Sequence, residues 1–217
     1  MSGDNSGPEM PHASNPHALT QAAAVLDRGG LVAIPTDTVY GIAARLDRPA
    51  AIARLYVAKG RPEDKPIPVL IAAPDQLARL TRDLPAGAAT FVARFWPGAL
   101  TVALPRAAVV PDAVAAGGDT VGLRMPDHSF ALALIAACGG ALAVTSANRS
   151  GEPSLRDAAA VAAALGDAVD LIVDGGLTPG GVASTVIALD ADGPRVLRVG
   201  PFDAATLRAA WQQTRDT

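Results

Sequence analysis

The sequence predicts an α/β domain organised on one mixed sheet. Short apolar runs of strand length alternate with segments of helical periodicity about ten residues long. Several strand-like runs follow one another with no helix between them, which a purely parallel sheet does not allow. Half of the 217 residues are hydrophobic and only 4% are aromatic, so the core is one of small aliphatic side chains.

Taken in order, residues 1–15 are rich in Ser, Gly, Pro and Asn and read as a disordered leader, with the domain expected over 16–217. Residues 18–28 carry helical spacing and stop at Gly29-Gly30. A short apolar strand over 31–34 is closed by Pro35, and a turn follows to Gly41. A helix over 50–58 delivers Lys59 and Arg61 at its end. Residues 69–72 read as a second buried strand, followed by helices over 74–80 and 86–96. Strands are expected at 100–104, 121–125, 141–145, 171–174, 184–189 and 196–199, with helices near 129–138, 155–165 and 203–212. No internal repeat or interior linker divides the chain, so one domain is expected.

Composition excludes several classes. Net charge is −3, whereas sequence-independent nucleic-acid binders are basic overall, so any anion site should be a local cleft. A single cysteine, Cys138, permits no intrachain disulfide, and its apolar helical setting reads as a core thiol. His12, His17 and His128 are too few for a histidine-rich metal site, and no metal ligands are assigned. No run approaches the ~20 apolar residues of a membrane span, and the first residues lack a signal-peptide run. A cytoplasmic protein with no membrane association is expected.

The chain also lacks a Gly-x-x-x-x-Gly-Lys-[Ser/Thr] loop, a Gly-x-Gly-x-x-Gly turn after a strand and a Gly-x-Ser-x-Gly elbow. A nucleotide site would have to be built from side chains and turns. Lys59-Gly60-Arg61, with Lys65-Pro66, crowds three cations together, which suits a polyphosphate or else a solvated helix end facing the dipole. Pro35-Thr36-Asp37-Thr38-Val39-Tyr40-Gly41 sets hydroxyls and a carboxylate where ligands bind in α/β sheets, or forms a self-bonded turn. Arg124 stands in an apolar strand and must meet either an internal carboxylate or a substrate carboxylate, the second being favoured. Thr145-Ser146-Ala147-Asn148, continuing to Ser150 and Ser154, precedes a helix and suits phosphate oxygens, or Ser154 is an ordinary N-cap. A Gly-rich stretch, 175–181, leads to Ser184-Thr185-Val186, and Arg198 adds a cation at a strand end.

In this order these motifs, with Val121-Gly122-Leu123-Arg124-Met125-Pro126 and Leu197-Arg198, resemble the YrdC/TsaC family of threonylcarbamoyl-AMP synthases over about residues 17–212. The resemblance implies a twisted α/β sheet flanked by helices around a large basic concave cavity. It implies use of L-threonine, bicarbonate and ATP, with Mg2+ on the nucleotide, to make threonylcarbamoyl-AMP and pyrophosphate. A separate threonylcarbamoyl-transfer machinery then modifies tRNA. By motif, Thr38, Arg124 and Ser184 correspond to threonine-site positions. Arg61, Lys65, Thr120, Ser146, Asn148, Ser154 and Arg198 correspond to nucleotide and phosphate positions. Lys59, Arg61 and Lys65 would supply catalytic charge stabilisation.

Two departures stand out. Long members append a second domain, for which this chain is too short. Lys65-Pro66-Ile67 replaces the common Asn-Pro-Leu. Two other readings stay open: a non-catalytic protein holding tRNA or double-stranded RNA, and a carbamoyltransferase-like relative starting from carbamoyl phosphate.

Overall fold

The computed structural model describes residues 8–215. In chain order the elements are α1 (Ala18–Asp27), β1 (Val32–Ile34), β2 (Gly41–Arg45), α2 (Pro49–Lys59), β3 (Val69–Ile71), α3 (Gln76–Leu80), α4 (Ala88–Val92) and β4 (Leu100–Pro105). There follow α5 (Asp112–Ala115), β5 (Thr120–Arg124), α6 (Ser129–Ala137), β6 (Ala141–Ser146), α7 (Ala158–Leu165), β7 (Leu171–Ile172), β8 (Thr185–Asp190), β9 (Gly193–Arg198) and α8 (Ala204–Arg215).

Among the described residues the strands form one sheet in the order β7-β1-β2-β6-β3-β5-β4-β8-β9. The pairs β1/β7, β3/β5 and β4/β8 are parallel and the other neighbours antiparallel, which is the mixed sheet expected from strands that follow one another directly. No described helix is long and apolar enough to cross a membrane.

Alternation along the strands sorts residues onto two faces. Val69 and Ile71, Leu100, Val102 and Leu104, Val121 and Leu123, and Ala141 and Ala143 join one core, with α2, α4, α7 and α8 residues. Val32, Ile34, Ala43, Leu70, Leu142 and Val144 belong to a second core under α1 and α6. Cys138 is buried in that second core, as its apolar setting predicted.

The structure differs from the sequence reading at several places. A strand, β2, occupies 41–45, directly after the expected turn, because both of its edges are paired, with β1 and β6. A single helical turn, α5, lies at 112–115 where none was expected. α7 starts at Ala158 rather than near 155, since Asp157 and not Ser154 caps it: Ala160 N donates to Asp157 Oδ1 at 2.8 Å. Residues 9–13 of the expected disordered leader run parallel beside β7 and the two residues that follow it. Ile172 N donates to Glu9 O, Asp174 N to Pro11 O and Ala13 N to Asp174 O, at 3.0, 2.9 and 2.6 Å. A two-residue edge strand leaves backbone groups to be satisfied, and this segment satisfies them. Residues 1–7 of the leader lie outside the described residues.

Removal of residues 1–15 should therefore be destabilising. Three backbone bonds at ~1 kcal/mol each predict a loss of about 3 kcal/mol, or roughly 6–12 °C in melting temperature for a domain of this size. Thermal unfolding of the truncated chain checks this, and an unchanged melting temperature would contradict it.

Candidate functional site

Beyond the part covered by α1 and α6, the same sheet face opens into a cavity of about 650 Å3, within the range of small-ligand sites. Its floor is made by the alternate residues of central strands: Leu70 of β3, Thr101 and Ala103 of β4, Gly122 and Arg124 of β5, Val144 and Ser146 of β6. Small residues keep it open. A Cβ on Gly122 would lie 3.2 Å from Thr101 Cγ2, and one on Gly41 would meet Val144 Cγ1 at 2.6 Å.

The rim carries cations. α2 ends at Gly60 in the left-handed region (φ 57°), which turns the chain so that Arg61 N bonds Tyr56 O. Arg61 Nε and Nη2 then donate to Lys65 O and Pro66 O at 3.1 and 2.8 Å, and Tyr56 Oη donates to Lys65 O, closing the 61–66 loop on itself. Lys65 stands exposed on the cavity wall. Across the cavity, Arg198 donates from Nε and Nη2 to Ser184 O at 3.2 and 2.9 Å and from Nη2 to Ser184 Oγ at 3.2 Å. Among the described residues none of these three cations has a carboxylate partner. Desolvation lowers the pKa of Arg61, and desolvation together with the nearby Arg124 and Arg61 charges lowers that of Arg198. An anion entering the cavity would relieve that repulsion.

The buried end is built around Arg124. Its Nη2 donates to Asp37 Oδ1 at 2.6 Å, Nη1 to Thr38 Oγ1 at 2.9 Å and Nε to Gly98 O at 2.8 Å. Both side chains of the ion pair are largely withdrawn from solvent, at 7% and 14% exposure. The arginine thus meets an internal carboxylate and also lines the cavity. Three of its five N–H donors are engaged here, which leaves two for a ligand. Burial pushes its pKa down, and Asp37 opposes that shift. Thr101 Oγ1 and Ser184 Oγ bond each other at 2.7 Å beside it.

The cavity brings together Thr38, Arg61, Lys65, Thr120, Arg124, Ser146, Ser184 and Arg198. Lys59, Asn148 and Ser154 do not line it. The expectation that Lys59 presents a charge to a ligand therefore changes: its side chain is fully buried behind Ser146. Nζ donates to Ser146 O, to Ser146 Oγ at 3.2 Å and to Asn148 Oδ1 at 3.1 Å. Burial, aided by the nearby Arg61 charge, lowers its pKa to about 7. Asn148 Nδ2 is taken up by Arg149 O and Glu152 O, so Oδ1 faces Ser146 and Lys59.

Sequence reading missed Thr101, a polar residue in an apolar strand that period-two alternation would have placed beside Ala103. It also read the Asp37 carboxylate as a ligand-site or turn group and not as the partner of Arg124. Tyr40 is a further support: its hydroxyl accepts from Gly175 N at 3.0 Å and donates to Gly176 O at 2.9 Å, tying the 175–181 loop to the 36–40 turn.

A family model described as "Telomere recombination", covering Sua5, YciO and YrdC proteins, matches residues 24–200. Threonylcarbamoyl-AMP synthase of Bacillus subtilis (strain 168) is 47% identical over 200 residues, covering 90% of this chain and 57% of the relative. A putative threonylcarbamoyl-AMP synthase of Mycobacterium leprae is 39% identical over 189 residues, covering 87% and 86%. The crystal structure of Pyrococcus abyssi Sua5 complexed with L-threonine aligns with a TM-score of 0.85 at 42% identity, over 88% of this chain and 56% of that one. The chain thus spans a little over half the length of the Bacillus and Pyrococcus relatives.

Two outcomes follow from the geometry. Asp37→Ala, which strands a buried guanidinium, should cost about 3–5 kcal/mol in denaturant unfolding. The double variant Asp37→Ala/Arg124→Met should cost less than Asp37→Ala alone, because it leaves no buried charge. Lys59 carries a pH signature. Its pKa falls from 10.5 unfolded to about 7 folded, so above pH 7 the unfolded chain binds more protons and stability rises with pH. The melting temperature of the wild type should gain on that of Lys59→Met between pH 7 and 9, and parallel curves would contradict the shift.

Proposed function

Because the chain belongs to the Sua5/YciO/YrdC family, we propose that it is a nucleotidyltransferase joining L-threonine, bicarbonate and ATP into threonylcarbamoyl-AMP with release of pyrophosphate. One observation carries the reading. One small-ligand cavity combines cations that have no carboxylate partner among the described residues, Arg61, Lys65 and Arg198, with a separate polar seat of Thr38, Arg124 and Ser184. The first set suits a triphosphate and the second an amino-acid carboxylate and hydroxyl. The names of the relatives and the L-threonine complex of the Pyrococcus protein support the assignment.

In this reaction the threonine carbamate oxygen attacks the α-phosphorus of ATP in line and expels pyrophosphate. The chain supplies position and charge: Arg61, Lys65 and Arg198 on the phosphates, Thr120 and Ser146 beside them, and the Arg124 seat on threonine. No covalent enzyme nucleophile is needed. Magnesium would travel with the nucleotide, because the lining residues include no carboxylate and the described residues form no cluster of metal-ligating side chains. The product would pass to a separate transfer machinery acting on tRNA, and a cytoplasmic setting accords with that. A cavity of this size suits small molecules better than a duplex, so direct contact with tRNA or double-stranded RNA is the less supported reading.

Purified protein should release pyrophosphate from ATP only when L-threonine and bicarbonate are both present, and carbamoyl phosphate should not replace bicarbonate. L-Serine should serve several-fold less well, since losing a methyl's burial is worth only ~1 kcal/mol. RNA binding without threonine-dependent pyrophosphate release would favour the RNA-holding reading, and turnover driven by carbamoyl phosphate the carbamoyltransferase one. Arg61→Ala should lose about 2–5 kcal/mol of transition-state stabilisation with little change in melting temperature. Wild-type turnover in that variant would reduce Arg61 to a rim charge.

A further inference from the structure

The proposed reaction has a proton to dispose of. Threonine arrives as an ammonium, and its conversion with bicarbonate to a carbamate yields water and one proton. The ionisable side chains on the cavity wall are Tyr40, Arg61, Lys65, Arg124 and Arg198, with no carboxylate and no imidazole. Arginine has no accessible neutral form, and Tyr40 is held between Gly175 N and Gly176 O. Asp37 is tied to Arg124, and His128 accepts from Ala131 N as the cap of α6 without lining the cavity.

One amine lies directly behind the wall. Lys59 Nζ is 3.2 Å from Ser146 Oγ, and Ser146 lines the cavity. The charge acting on this amine is that of Arg61, and no carboxylate pairs with it among the described residues. Its other two contacts, Ser146 O and Asn148 Oδ1, are both acceptors, so a neutral Lys59 satisfies them with its two N–H groups. The lone pair is then left for Ser146 Oγ, whose hydroxyl donates to Asn148 Oδ1 at 2.5 Å in the structure and would have to turn to Lys59 for a transfer.

We propose that Lys59, acting through the Ser146 hydroxyl, accepts the proton that the threonine ammonium must lose before attacking bicarbonate. This rests on the threonylcarbamoyl-AMP reading. In the step, an ammonium N–H gives its proton to Ser146 Oγ as the Ser146 hydroxyl proton passes to Lys59 Nζ. The freed amine lone pair forms the N–C bond to bicarbonate. The bicarbonate hydroxyl leaves as water, taking the second amine proton, and the carbamate anion remains. The depressed pKa of Lys59 allows it both to take up this proton near neutrality and to release it again.

The adenylation half reaction isolates the effect, because carbamate plus ATP giving threonylcarbamoyl-AMP plus pyrophosphate involves no threonine deprotonation. It is read in reverse, as ATP formed from threonylcarbamoyl-AMP and pyrophosphate. In the wild type, forward pyrophosphate release at saturating threonine and bicarbonate should rise through an inflection near pH 7, and reverse ATP formation should not. Lys59→Met should abolish the inflection and lower the forward rate roughly 100-fold or more, at least about tenfold more than it lowers the reverse rate. Ser146→Thr, which keeps the hydroxyl, should keep the inflection near pH 7 at whatever rate it turns over, and Ser146→Ala should lose the inflection. Equal losses in both directions for Lys59→Met, or an inflection that survives in Ser146→Ala, would overturn the proposal. Should Lys59→Met not fold, the Ser146 pair decides alone. A wild type with no threonine- and bicarbonate-dependent pyrophosphate release would instead overturn the underlying reading, and this inference with it.

Discussion

The half-covered face of the sheet is the constraint on which the rest depends. α1 and α6 close that face over β1, β2, β6 and the adjoining part of β3, and beyond them the cavity begins. Each central strand must therefore do two things with alternate residues. Val69, Val102, Val121, Leu123 and Ala143 fill a close-packed core, while Leu70, Thr101, Ala103, Gly122 and Val144 form an open floor. A slip of one residue in any pairing would put valines into the cavity and hydroxyls into the core, so the aliphatic face fixes the register and the register fixes the site. Polar side chains on the floor are tolerated because they bond one another, as Thr101 does with Ser184 and Arg124 with Asp37.

Charge is distributed with the same economy. The chain is acidic overall, at −3, yet the cavity lining gathers three arginines and Lys65 and no carboxylate, with the Asp37 carboxylate paired to Arg124 beside it. That carboxylate is spent on the deepest arginine, which could not remain charged and buried without it. Arg61 and Arg198 are held instead by backbone carbonyls, which fix their direction without neutralising them. Cations gathered in one cavity of a negative protein would confine anion binding to that place.

The fold class was legible because its signals are local: runs of β-branched and aliphatic residues, glycine stops, and strands without intervening helices. Most of the cavity residues were legible too, as hydroxyls and arginines in or beside apolar strands. What could not be read depended on partners distant in sequence. β2 has an ordinary composition and is a strand because β1 and β6 flank it. Asp37 and Arg124 lie 87 residues apart and meet only through the sheet topology. Lys59, one of three neighbouring cations, looked like its companions. Its place on the last turn of α2, facing the 146–152 loop, turns it inward while Arg61 beyond Gly60 turns out. Residues 9–13 looked like any polar leader, and the edge of β7 organises them.

The same long-range ties make the site rigid. The 36–40 turn is held by Arg124 on one side and on the other by the 175–181 loop, through the Tyr40 hydroxyl and the Gly181 N to Thr38 O bond at 2.8 Å. Gly180 packs so closely there that a Cβ would lie 2.7 Å from Asp37 O, so a glycine is needed for the loop to seat. At the Arg61 end of the cavity, Ser150 N bonds Lys59 O at 2.8 Å while the Lys59 side chain grips Ser146 and Asn148, which joins the end of α2 to the loop after β6. Arg61 follows two residues later in a loop closed on itself. Ser146 and Arg61, on separate segments, are thereby kept at a fixed spacing before any ligand arrives. Donors aimed in advance at the place where charge will develop need little reorganisation during reaction, and that is the condition under which fixed charges are most effective.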